Sequence, residues 1–303
     1  MAVGVAYTED FQHTNYFQKD FLAVQRSMDK ALKGSSNTIV GRAAKRQLYL
    51  IYSESDRNPG HYYLYDRDNR QLGFMADVMG YVDIEKTAST QNVSVPVRDG
   101  TNIPVYLTTP HGAEAKSLPT IILPHGGPQA RDSAEWDFWA QFYANRGYAV
   151  MQPNFRGGTG YGKKFLEAGE RNWGGLMQDD VTDATHWMIN EGYSDPERIC
   201  IAGASYGGYA AMFAPIKEPG LYKCAISVNG VPDIPLMKRS DRNYSGFGDW
   251  IENIGLEGET DEMISPYHRA EAINIPLLLM SSVDDTRVPY KMSQRMQDHM
   301  KDL

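Results

Sequence analysis

Gly203-Ala204-Ser205-Tyr206-Gly207 sits between an apolar run, RICIA (198–202), and a helical stretch, GGYAAMFA (207–214). G-x-S-x-G after a strand and before a helix is a sharp elbow that lifts the serine hydroxyl above the end of a sheet. The turn strains the serine backbone and leaves no room for side chains two residues away, which explains the flanking glycines. The helix N-terminus behind the serine favours negative charge. A hydroxyl in that position is suited to attack a carbonyl. The plainer reading is a glycine-rich turn with an idle serine, and the strand and helix on either side weigh against it.

Attack on a carbonyl makes an oxyanion, which needs fixed donors. One is the backbone N–H of Tyr206, next after Ser205. The other should come from a loop after an earlier strand, and Leu123-Pro124-His125-Gly126-Gly127-Pro128 follows TIIL (120–123) as required. Gly126 and Gly127 would let the backbone approach the substrate closely. His125 reads as a residue that orders this loop, not as a base.

These residues need a scaffold. Short apolar runs at TIILP (120–124), YAVMQP (148–153), RICIAG (198–203), CAISVN (224–229) and PLLLMS (276–281) suit strands covered on both faces. Helical stretches near 134–146, 174–191 and 206–216 lie between them. This alternation predicts an α/β architecture, a mostly parallel sheet with helices on both faces. Residues 231–270 form a long excursion between two strands, of the kind that shapes pockets. Tyr244, Phe247 and Trp250 within it are candidates for an apolar side-chain pocket.

The first ninety residues read differently. QLYLIYSES (47–55) and HYYLYDRDN (61–69) are aromatic strands either side of a turn, Asp-Arg-Asn-Pro-Gly. They predict a four-stranded β unit of the kind repeated in a β-propeller, with a short β extension on the main domain as the alternative. The expected division is 1–90 for this segment and 91–303 for the α/β domain.

Composition narrows the function. The 303 residues are 42% hydrophobic and 22% charged with a net charge of −8, so a basic nucleic-acid groove is not expected. No apolar run approaches the ~20 residues of a membrane span. Cys200 and Cys224 lie in strand-like runs and read as two buried thiols in preference to a disulfide. No Cys/His cluster suggests a metal, and no cofactor is expected. The N-terminus lacks signal-peptide character, which makes the cytoplasm the default expectation, with secretion left open should the true N-terminus lie upstream.

Four segments occur in order: HGGP (125–128), NFRGGTGYG (154–162), GASYGGYAA (203–211) and DTRVP (285–289). Together they resemble the prolyl oligopeptidase family of serine peptidases, especially its acylaminoacyl-peptidase and dipeptidyl-peptidase-like branch. The match runs from about Val93 to the last residue, and the aromatic β segment resembles the closing blade of that family's propeller. The resemblance implies an α/β-hydrolase domain with a Ser-Asp-His triad and peptide substrates. Ser205 then matches the nucleophile and Asp285 the acid, with Asp284 the adjacent competitor. Arg156 and the glycines of its loop are expected to be structural. Ser281-Ser282 stands where the family usually has His-Gly.

In this family the triad histidine lies roughly thirty-odd residues beyond the acid, past about residue 315. His299 follows Asp285 but falls on a helix, about 21 Å along it, and His268 reads as packing. The expectation is a serine peptidase whose histidine lies beyond residue 303, as in a chain truncated at both ends. A carboxylesterase would use the same machinery, and a catalytically inactive binding module is the reading from a different class.

Overall fold

The computed structural model describes residues 2–243 and 247–303, without the side chains of Asn243, Phe247, Asp249 and Trp250. The chain divides into two compact units. One comprises Met1–Asn92, Thr108–Ala113 and Ser133–Arg146; the other comprises Val93–Leu107, Glu114–Asp132 and Gly147–Leu303.

The smaller unit begins with an antiparallel pair, β1 (Gly4–Thr8) and β2 (Gln12–Tyr16). Helix α1 (Lys19–Ala31) follows, then β3 (Ser36–Arg42), β4 (Leu48–Glu54), β5 (His61–Asp66) and β6 (Gln71–Asp77). These last four strands form an antiparallel meander in sequence order, the blade-like form that the aromatic strands predict. Along β4, Tyr49, Ile51 and Ser53 are buried while their neighbours are half-buried, the period-two pattern of a sheet with one better-covered face. Helix α1 supplies the cover: Val24 and Met28 form a core with Tyr49, Ile51 and Tyr65. The all-β reading of this segment therefore needs correction. Phe21, Val24 and Met28 recur at helical spacing, and their apolar stripe covers a meander that cannot bury its own faces.

The main sheet, most of it in the larger unit, contains β7 (Ser89–Pro96), β8 (Asn102–Thr109), β9 (Leu118–Ile122), β10 (Ala149–Pro153), β11 (Ser194–Ala204), β12 (Cys224–Val228) and β13 (Leu277–Met280). Their spatial order is β13-β12-β11-β9-β10-β8-β7. The five predicted apolar strands are β9 to β13, and they pair in parallel along that order. Interleaved along the chain are α2 (Phe138–Ala144), α3 (Lys163–Glu167), α4 (Leu176–Asn190), α5 (Tyr206–Lys217), α6 (Ile234–Ser240), α7 (Phe247–Asn253) and α8 (Tyr290–Lys301). This is the mixed α/β fold with a mostly parallel sheet that the alternation predicts. Helix α5 is buried from Tyr206 to Ile216, as a helix must be when its sequence is apolar all round.

Parallel strands send all their carboxyl ends to one edge. The loops after β9, β10, β11 and β13 are the HGGP, NFRGGTGYG, Ser205 and DTRVP segments, and the long excursion follows β12. The chain order reverses between β9 and β11, because β10 lies on one side of β9 and β11 on the other. Ligands of open α/β sheets bind in the crevice at such a switch point.

Cys200 and Cys224 are bonded, with Cα atoms 4.7 Å apart. This corrects the expectation of two thiols. The two residues lie directly opposite each other on adjacent parallel strands, a register that the sequence does not display. Among the described residues no helix is long and apolar enough to cross a membrane.

Candidate active site

Ser205 leaves β11 with φ 56° and ψ −119° and caps the N-terminus of α5. Such a backbone is costly for a residue other than glycine and persists only when its surroundings hold it. They do so here from both sides. The Ser205 N–H donates to the Val228 carbonyl at 3.0 Å, and its own carbonyl accepts from the Tyr209 N–H at 3.0 Å. A Cβ on Gly203 would lie 2.4 Å from the Gly207 carbonyl oxygen, and one on Gly207 would lie 2.1 Å from that of Pro124. The two glycines of the motif are thus required by close backbone contact. Ser205 itself is exposed.

A Cβ on Gly126 would meet the Ala204 carbonyl oxygen at 3.2 Å and Ser205 Cβ at 3.5 Å. The HGGP loop after β9 therefore abuts the serine. The Tyr206 N–H is the first of α5, and the first N–H groups of a helix have no intrahelical acceptor.

His125 is buried and holds this loop. Its ring stacks on Phe155 with centroids 4.2 Å apart, and its Nδ1 hydrogen-bonds the Gly126 carbonyl at 2.8 Å. Burial depresses its pKa to about 4, so the ring is neutral at pH 7. Beneath the elbow, Tyr206 packs edge-on to Trp173 and against Phe155 and Tyr209. Burial raises the Tyr206 and Tyr209 phenols well above their ordinary range, keeping both protonated. Arg156 of the NFRGG loop is buried and forks onto Asp180, with bonds of 2.8 and 2.7 Å, while a third reaches Asp99 at 2.8 Å. Hydrogen bonding to Arg156 holds Asp99 well below the usual carboxylate range. That arrangement is structural: it ties α4 and the hairpin turn to the loop after β10.

A cavity of about 180 Å³ opens beside Ser205. Trp173, Val231, Met237 and Val288 give it apolar walls, and Asp241 and Arg287 also line it. Val288 and Arg287 belong to the DTRVP loop, so the segment bearing Asp285 reaches the cavity that contains Ser205. Within that loop Asp285 Oδ1 accepts from the N–H groups of Arg287 and Val288 at 2.8 and 2.9 Å. The fold thus brings Ser205, Tyr206, Gly127 and the Asp285 loop around one cavity, with Gly126 against the serine.

The profile of the prolyl oligopeptidase family matches residues 134–303. The chain is 30% identical over 284 residues to dipeptidyl aminopeptidase BIII of Pseudoxanthomonas mexicana, covering 88% of this chain and 41% of that one. The chain belongs to the prolyl oligopeptidase family. Its backbone is similar to an acylaminoacyl peptidase of Pyrococcus horikoshii, with a TM-score of 0.72, 29% identity and coverage of 89% of this chain and 44% of that one. An acylaminoacyl peptidase in complex with Z-Gly-Gly-Phe-chloromethyl ketone is 26% identical with a TM-score of 0.73, covering 99% of this chain and 46% of that one. The chain spans about two-fifths of the length of the curated relatives it matches.

Against that family background the histidines stand out. Among the described residues none hydrogen-bonds Ser205. The His299 ring lies 5.0 Å from that of Tyr267, and His268 sits 3.8 Å from the buried Asp233 carboxylate. Of the expected pocket aromatics, Tyr244 lies outside the described residues, as do the side chains of Phe247 and Trp250. The same excursion instead contributes Met237 and Asp241 to the cavity. Trp173 is a further wall that the motifs do not announce, since it follows no motif and no strand; its signal is only its place between two glycine-bearing turns.

Proposed function

We propose that this chain carries the catalytic domain of a serine peptidase that cleaves peptides through an acyl-enzyme. The observation that carries this reading is the strained, exposed Ser205 at the switch point, with Gly126 against it. Ser205 Oγ attacks the substrate carbonyl carbon and gives its proton to a histidine. The oxyanion accepts hydrogen bonds from the Tyr206 N–H and from Gly126 or Gly127. The histidine then protonates the leaving amine, and water, activated by the same group, releases the acid.

Asp285 is assigned as the acid that orients this histidine. Its Oδ1 is fixed by two backbone N–H groups, and among the described residues Oδ2 has no hydrogen-bond partner. We place the histidine beyond residue 303, because among the described residues no histidine hydrogen-bonds Ser205, and His125, His268 and His299 are engaged with Gly126 and Phe155, with Asp233 and with Tyr267. Residues 1–90 are assigned as a propeller-like segment and 91–303 as the peptidase domain. The Cys200–Cys224 bond supports an oxidising compartment over the cytoplasmic default.

The test uses the chain as given and one extended past residue 303 along the natural reading frame. The extended form should cleave a peptide amide and be labelled at Ser205 by a fluorophosphonate; the 303-residue form should be far slower. Ser205→Ala should abolish labelling and lower kcat by about 10⁴-fold or more, and Asp285→Asn should lower it by about 10⁴-fold. Equal turnover by the two chain lengths would overturn the placement of the histidine.

A further inference from the structure

The parallel ladder between β12 and β13 stops at the pair Val228 and Met280. Beyond it the ladder no longer fixes the loop that bears Asp285. Val228 and Asn229 serve both sides of that gap. The Val228 carbonyl accepts from the Ser205 N–H at 3.0 Å and so holds the elbow. The Asn229 N–H donates to the Met280 carbonyl at 2.8 Å, and Asn229 Oδ1 accepts from the Ser282 N–H at 2.8 Å. Ser282 in turn anchors the acid: its carbonyl accepts from the Asp285 N–H and its hydroxyl from the Asp284 N–H, both at 3.3 Å. A hydrogen-bonded path thus runs from Ser205 to Asp285, and the Asn229 amide bridges the two loops.

Residue type at 229 is doubly constrained. Its φ of 46° lies in the left-handed region, which asparagine enters more readily than most residues. Glycine would enter it without strain but would bring no acceptor for Ser282. The following Gly230 seats the turn against the elbow helix, since a Cβ there would lie 2.8 Å from the Gly208 carbonyl carbon. The turn therefore cannot drift from α5, and Asn229 passes that fixed position to the acid's loop. The loop needs such an anchor. It follows an edge strand, and Ser282, Val283 and Asp284 are exposed, so little packing holds them.

We propose that Asn229 is a positioning residue, which sets the reach from Asp285 to the Ser205 elbow and raises kcat without touching substrate. The inference rests on Ser205 and Asp285 being the nucleophile and the acid.

The test uses the extended chain, a peptide amide and two substitutions that separate backbone from side chain. Asn229→Gly keeps the left-handed turn and deletes the acceptor, whereas Asn229→Asp keeps both. Asn229→Gly should lower kcat by about tenfold to a hundredfold, the scale of an ångström misplacement, with KM within about twofold. Asn229→Asp should restore most of the loss. The Arg287 and Val288 amides, which donate to Asp285, should exchange faster in Asn229→Gly, with β12 as protected as before. Full turnover by Asn229→Gly, a change in KM alone, or no recovery in Asn229→Asp would overturn the proposal. So would protection lost throughout β11 and β12, which would make Asn229 a support of the sheet alone. Should the unsubstituted extended chain turn over nothing, the peptidase reading fails and the exchange measurement still decides. Faster exchange at Arg287 and Val288 that Asn229→Asp reverses would uphold the bridge, and unchanged exchange would sink it.

Discussion

The four-stranded meander and the seven-stranded sheet solve opposite problems. The small antiparallel meander pairs each strand with its neighbour in sequence, so its contacts are local and its loops alternate between two edges. The large sheet pairs strands far apart in sequence, β9 with β11 and β12 with β13, and its parallel run sends every loop to one edge. Only the second arrangement can gather residues from five distant segments around one cavity. The proposed catalytic residues all lie in the larger unit. The meander's core, in contrast, rests on Val24, Met28, Tyr49, Ile51 and Tyr65, while Leu64, Phe74 and Met75 remain exposed. Local pairing gives an inexpensive fold, and non-local parallel pairing gives a site.

The sharpest way to probe the packing of the larger unit is at the elbow. Gly207→Ala puts a Cβ about 2.1 Å from the Pro124 carbonyl oxygen, and backbone on both sides must move. The expected cost is about 3 kcal/mol, with the HGGP loop displaced from Ser205. Thermal unfolding followed by site-resolved hydrogen exchange should show protection lost in β9, β11 and α5 and unchanged in β4 and β5. Loss of protection in both units alike would mean that they unfold as one, and the contrast between them would fail.

Much of this is readable in the sequence, for a physical reason in each case. Strands β9 to β13 are legible because a strand covered on both faces must be apolar along its length. Ser205, Tyr206, Gly126 and Gly127 are legible because tight turns restrict residue type. The Cys200–Cys224 bond is not, since register between two parallel strands depends on connections that composition does not encode. Helix α1 carries a visible apolar stripe, but strands surround it on both sides and mask the change of period. Asp241 is the hardest. A carboxylate in a polar excursion looks like a solvated one until the fold buries it, and the aromatic residues nearby are the more conspicuous pocket candidates.

The complementary substitution is Met28→Ala in α1. Met28 is 2% exposed and is one of two buried residues that the helix contributes to the small core. Its truncation should cost that unit about 2–3 kcal/mol. The effect should be read as lost exchange protection in β4 and β5, with the elbow of the larger unit unmoved. If β11 lost protection equally, the small core would have to be counted as part of the large one.

Acidity should separate the units more gently, because each contains a titrating group whose shift has the opposite sign, buried His125 in one and half-buried Glu54 in the other. In the larger unit His125 has its pKa lowered from 6.5 to about 4, chiefly by burial. The unfolded chain then binds more protons than the folded one between those values, so stability is present above pH 6.5 and is lost as pH falls toward 4. In the smaller unit Glu54 is raised from 4.5 to about 7, first by burial and then by the nearby Glu135 charge, while a hydrogen bond from Tyr52 opposes the shift. Here the folded state binds more protons, so stability is full below pH 4.5 and is lost as pH rises through 7. Between pH 5.5 and 7 each arm amounts to about 1 kcal/mol, after the Glu54 contribution is discounted for its partial exposure. Exchange protection across that range should therefore rise with pH around His125 and fall with pH in β4. His125→Gln should flatten the first trend and Glu54→Gln the second. Parallel trends in the two units, or a slope in β4 that survives Glu54→Gln, would show that some other group sets the pH response of the meander.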